Sequence, residues 1–157
     1  MAIVFKQELS AYAVGRRANM EEWNAYTRTN SGSTPIEFGV PVVPGTGANT
    51  CVALTATAQN VLGISEAVTT HPHPGDNHAQ YDSVPICDMG VIGVLLGADV
   101  TEGAQARYDL TNKYWTGAAQ SATVATIPGA QFAEAGTSGA VGVVRYRRPI
   151  PSLSVAS

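Results

Sequence analysis

The stretch "VTTHPHPGDNHAQYDSV", residues 68–84, holds every histidine of the chain: His71, His73 and His78, with Asp76 among them. Two histidines two apart share one face of an extended segment. That spacing suits a metal, and Asp76 or His78 across the Gly75 turn would extend a nitrogen and oxygen donor set of the kind zinc accepts. Yet Pro72, Pro74, Gly75, Asp76 and Asn77 are all turn formers. The favoured reading is an exposed polar connection, with His71, His73, Asp76 and His78 as weak metal candidates. On such a connection the imidazoles act as contact or pH-sensitive groups, because they gain charge near neutrality. A cupin-type enzyme would need a later histidine, and none follows His78.

Other chemistry is equally sparse. There is no G-x-S-x-G nucleophile motif. Cys51 and Cys87 form no C-x-x-C pair and sit in apolar runs, which favours buried thiols acting as small apolar residues. A disulfide between them depends on geometry that spacing does not give. Asp82, Asp88, Asp99, Glu102 and Asp109 fall where turns are expected, which favours turn carboxylates over an acid–base pair. "GTGAN" and "GTSGA" open no helix and carry no P-loop lysine, so they read as β-turns. No catalytic residue and no cofactor is expected.

Contact chemistry is better represented. "RYRRP" puts Arg145, Arg147 and Arg148 at the end of a strand pattern. They line a solvated face or meet carboxylates of a partner, since the planar guanidinium suits interfaces. Trp23 and Tyr26 lie in a region with little apolar sequence around them, which makes them candidate anchors on a partner. Trp115 and Tyr114, with the histidine loop, would serve a glycan- or receptor-binding β-sandwich of a virion appendage, the alternative reading.

The elements that must carry these residues are strands. The 157 residues suit one domain with a real core. From Thr34 on, "PIEFGVPVV" alternates Ile36, Phe38, Val40 and Val42 on one side. "TCVALTATA", "NVLGISEAV", "EGAQARYDL", "TNKYWTGAA", "VATIPGAQFAEAG" and "AVGVVRYRRP" follow as strand or hairpin segments. "SVPICDMGVIGVLLGADV" reads as two apolar runs broken at Gly90, Gly93 and Gly97. Gly63 inside its segment marks a bulge or a close backbone approach. Short strands at such spacing, divided by Gly and Pro, predict an all-β single domain: a jelly-roll-like β-sandwich or a small barrel. Residues 1–33 are expected to be an irregular N-terminal arm, with a short helix over residues 20–23 capped by Asn19. Residues 34–148 form the β domain, and residues 149–157 a C-terminal tail, since Pro149 and Pro151 lack donors.

Composition narrows the partners. Charged residues make up 13% of the chain, about half the usual ~25%. A surface so poor in charge fits one covered by neighbours, because interface cores are depleted in charge. The net charge of −3 disfavours nucleic acid, whose binding draws on Lys and Arg. No run reaches the ~20 apolar residues of a membrane span, and "MAIVFKQEL" lacks a signal-peptide pattern. Synthesis in a reducing cytoplasm is expected.

The order of "IEFGVPVV", "VLGISE", "VPICDMGVIGVLLGADVTEGAQARYD", "IPGAQFAEAG" and "VGVVRY" resembles the structural cement, or head-decoration, proteins of tailed bacteriophages. The likeness covers residues 34–148, and "THPHPGDNH" departs from it. The resemblance implies a non-enzymatic virion protein that binds the outer surface of the major capsid protein lattice. It implies a homodimer or homotrimer on the phage head, made in the host bacterial cytoplasm.

Overall fold

A computed structural model describes residues 13–68 and 77–150. His71, His73 and Asp76 lie outside the described residues, as does the tail from residue 151 on. Among the described residues there are strands and turns and no helix. In chain order the strands are β1 (Asn24–Asn30), β2 (Ile36–Glu37), β3 (Pro41–Pro44), β4 (Thr50–Ala53), β5 (Gly63–Ser65), β6 (Asn77–His78), β7 (Ser83–Leu95), β8 (Gln105–Asp109), β9 (Tyr114–Thr116), β10 (Val124–Phe132) and β11 (Val141–Arg147).

β7 organises the rest. Its first half pairs with β1 on one edge (Tyr26 opposite Ile86, Arg28 opposite Val84) and with β5 on the other (Ile64 opposite Cys87). β5 pairs with β3, β3 with β4, and β4 returns in parallel to β1, with Asn30 opposite Cys51. That closes a small barrel. The second half of β7 pairs with β11 from Leu95–Val141 to Met89–Arg147. β10, β8 and β9 continue the sheet, and Trp115 of β9 bridges to Leu96, just beyond β7. The sheet therefore curls round toward its own first strand.

β7 runs unbroken through Gly90 and Gly93, where the sequence suggested two runs. Its neighbours explain this. The Trp23 ring lies against Gly90, on the spot where a Cβ would stand. Gly63 has the close approach expected of it: a Cβ there would run into the Cys87 carbonyl and the Ile86 side chain. The all-β expectation holds, and Val42, Ile64, Val84 and Ile86 join Val94, Leu96, Ile127 and Phe132 in one buried cluster. "PIEFGVPVV" is divided, because the chain turns at Phe38–Gly39 between β2 and β3. In β10 the register shifts between Thr126 and Gln131. The Gln105 amide bridges that bulge, donating to the Ile127 and Ala130 carbonyls, each at 2.9 Å.

The N-terminal region departs most from expectation. Residues 24–30 form β1 and complete the barrel. Residues 20–23 bend and make no helix. Asn19 caps a turn instead, its Oδ1 accepting the Glu21 N–H at 3.0 Å. Asn30, at the end of β1, is fully buried. Its Nδ2 reaches the Thr34, His78 and Ala79 carbonyls at 3.1–3.2 Å, and its Oδ1 accepts the Gly32 N–H at 2.9 Å. The pairing of β1 with two barrel strands overrides its weak apolar pattern.

Gly63→Ala is expected to cost ~2–3 kcal/mol, because the colliding atom is a backbone carbonyl that cannot rotate away. Thermal unfolding should show Tm lower by roughly 5–10 °C; an unchanged Tm would mean that β5 and β7 have room to part.

Candidate functional site

Of the contact residues singled out in the sequence, Trp23, Arg145 and Arg147 gather around the second half of β7, beside residues 13–23, while Tyr26 stands opposite Ile86 in its first half. Backbone bonds from Gly15 N to Gly93 O (2.8 Å), Gly93 N to Arg16 O (2.9 Å) and Ala18 N to Val91 O (2.8 Å) lay this segment along the free edge of β7. The chain then turns over the sheet. Arg17 holds the turn by donating to the Asn19 and Glu21 carbonyls, each at 2.7 Å. Its guanidinium sits 5.5 Å from the Trp23 ring centre, within cation–π range.

The arginines of β11 find carboxylates within their own chain. Arg145 grips Glu21 with two bonds of 2.9 and 2.7 Å. Arg147 lies 3.8 Å from Glu22. The Arg145 guanidinium pulls the Glu21 carboxyl below its ordinary range. Arg148 differs: its backbone N–H donates to Asp88 O at 2.8 Å, and its side chain makes no ion pair with the described residues. Trp23 is half-buried against the core, as is Tyr26. The apolar surround that the sequence did not show for Trp23 is supplied by Gly90 and the sheet beneath it.

The histidine loop is reached only at its end. His78 was expected on an exposed connection; it is buried, 3% exposed. The cause is β6, which pairs with β2 and sets His78 opposite Ile36. The His78 ring centre is 4.9 Å from that of Phe38. Its Nε2 lies 2.8 Å from the Glu66 carbonyl oxygen, and since a carbonyl only accepts, Nε2 carries the proton. Among the described residues no three His, Cys, Asp or Glu side chains gather as a metal site would require.

Trp115, the proposed sugar platform of the alternative reading, is 1% exposed, and its Nε1 donates to Gly39 O at 2.7 Å. Burial removes it from any surface. Cys51 and Cys87 are buried free thiols, pushed up to about 11 and about 12 by burial. Of the acids expected at turns, Asp82 accepts Ala79 N–H, Asp99 accepts Ser138 N–H, and Asp109 accepts Thr111 and Asn112 N–H, whereas Asp88 stands within β7 and accepts from Asn24 Nδ2.

Glu66 escaped the sequence reading. It follows β5, and one carboxyl oxygen, Oε1, is buried with no hydrogen-bond partner. Burial pushes the carboxyl up to about 7, against a hydrogen bond with the Trp23 side chain that lowers it. "ISEAV" carries no signal for this, because the burial and the Trp23 hydrogen bond arise only in the folded chain.

An all-β fold built on a small closed barrel with further strands, with Glu21 and Glu22 paired to Arg145 and Arg147 of the same chain, defines a structural module of the all-β class. A family model described as structural cement protein (E217 gp24/Pam3 gp6) matches residues 4–147. The chain belongs to this family and is a structural protein of the phage capsid, located in the virion head. Among solved structures, a chain from "The capsid of Myoviridae Phage XM1" is similar with a TM-score of 0.71 at 13% identity. The likeness covers 96% of this chain and 99% of that one, and at such identity it speaks for the fold. No curated protein matches the chain.

Glu66 should make stability depend on pH. The unfolded chain loses this proton near the ordinary 4.5, the folded chain near 7. Between those values the folded state holds the extra proton, so stability falls as pH rises through the window. Glu66→Gln should flatten that fall and raise stability at pH 8 by on the order of 1–2 kcal/mol, discounted because the carboxyl is only partly buried. Denaturant midpoints at pH 5 and pH 8 test this; parallel pH profiles for variant and parent would contradict it. Trp23→Ala should cost about 2 kcal/mol, less than a fully buried tryptophan. An unchanged unfolding midpoint would show that residues 13–23 contribute nothing to the fold.

Proposed function

We propose that the chain binds the outer face of the major capsid protein lattice and ties neighbouring subunits of the mature head together, catalysing no reaction. Membership of the cement family over residues 4–147 carries this reading. The surface supports it. Residues 117–123, between β9 and β10, are all exposed and carry no charge, and residues 55–60 are uncharged and largely exposed. Small uncharged side chains let another backbone come close without stripping water from ions.

The mechanism is linkage. A protein that binds only the assembled shell stabilises the shell by mass action. Repetition over many equivalent sites multiplies a modest contact. Self-association as a dimer or trimer would give each unit more than one foothold. Residues 13–23 are fastened to their own chain through Glu21, Glu22 and Trp23, which favours a docking surface elsewhere on the body.

Purified chain added to stripped heads should co-sediment with them in a fixed ratio to the major shell subunit. Decorated heads should release their DNA at a higher temperature than stripped ones. Equal heat resistance, or chain left in the supernatant, would contradict the reading.

A further inference from the structure

Beside the β10 bulge lies a cleft of about 240 Å³, lined by Gln59, Asn60, Val61, Pro128, Tyr146, Arg148 and Pro149. Its chemistry is one-sided. Tyr146 is 1% exposed, and its hydroxyl is buried with no hydrogen-bond partner. A buried hydroxyl without a partner costs free energy, and a ligand that pairs with it recovers that cost. Arg148 is half-buried and makes no ion pair with the described residues. Its positive charge favours ionisation of both the Tyr146 and the Tyr26 phenol, and it shares the lining of the cleft with Tyr146.

The acid that acts on the same two phenols, Asp88, accepts from Asn24 Nδ2 at 2.7 Å. The Gln59 Oε1 caps the turn at residues 55–56, which leaves its amide N–H groups as donors. The neighbouring Asn60 amide is exposed. Val61, Pro128 and Pro149 supply apolar walls. The cleft thus offers a cation and amide donors above an apolar floor, with Tyr146 in its wall, which matches a carboxylate carried on a short aliphatic stem.

We propose that this cleft is the docking pocket for an Asp or Glu side chain presented by a subunit of the capsid lattice. The inference rests on the capsid-binding reading and adds the residues that do the binding. A guanidinium and a hydroxyl held in place before docking spare part of the ordering cost of a charged contact. Arg145 and Arg147 do not compete for the role, because Glu21 and Glu22 already engage them.

The test has two arms. In the first, the full chain is titrated by NMR with blocked glutamate, N-acetyl-glutamate N-methylamide, and separately with blocked glutamine. Saturable shifts at residues 59–61, 128, 146 and 148 are expected with glutamate only. Arg148→Gln should abolish them, Tyr146→Phe should weaken them several-fold, and Arg147→Gln should leave them unchanged. No shift, equal shifts with glutamine, or full binding by Arg148→Gln would overturn the pocket. In the second arm, Arg148→Gln should bind purified heads about tenfold or more weakly than the parent chain. Equal binding of variant and parent would overturn the lattice carboxylate as occupant. A parent chain that takes blocked glutamate yet ignores heads would sink the capsid reading and leave the carboxylate pocket standing.

Discussion

A strand buried on both edges must find hydrogen-bond partners for its N–H and C=O groups along its length. β7 has 13 residues, about 40 Å of chain at the rise of an extended strand, and no single neighbour here is long enough to serve it. The fold is the solution to that requirement. β1 and β5 serve the first half, and β11 with residues 15–18 serves the second. The barrel and the curled sheet share one strand, so their relative placement is set by backbone geometry rather than by a linker. At Gly90 of β7 and at Gly63 opposite it other groups occupy the place of a Cβ, which is why side chains are missing there.

The same requirement explains the N-terminal region. With residues 15–18 on the edge of β7, the next residues lie over the sheet, and the exposed arginines of β11 lie within reach of Glu21 and Glu22. Trp23 then covers Gly90 and meets Glu66, whose buried carboxyl prefers to stay protonated. Exposed ion pairs such as these add little stability each. Their effect is to direct the segment, while the backbone bonds and the indole hold it. Arg148, one residue past β11, is left with its charge unspent beside the cleft.

The class of fold was legible because period-two alternation and Gly–Pro punctuation are local signals. β5, β8, β9, β10 and β11 all fall in stretches read from the sequence as strand or hairpin segments. β1 was not legible: "NAYTRTN" has no apolar alternation, and its pairing is decided by β4 and by β7, the latter more than fifty residues away in sequence. β7 was misread as two runs because a glycine signals a break only when nothing packs on it. His78 looked exposed among turn formers, and its two-residue pairing with β2 buries it. Arg145, Arg147 and Trp23, expected from the sequence to face a partner, are engaged within the chain. Glu66 and the orphan hydroxyl of Tyr146 come from three-dimensional enclosure, which no spacing rule encodes.

What emerges is a β body whose described ion pairs join its own segments, while Arg148, which makes no ion pair with the described residues, stands beside one cleft. A reconstruction of the mature head at side-chain detail tests this most directly. The account predicts this fold on the outer surface, bridging adjacent shell subunits, with Tyr146 and Arg148 closed over a carboxylate of the shell. Density for the chain in the tail or on the inner wall, or on the outside with that cleft facing solvent, would contradict it.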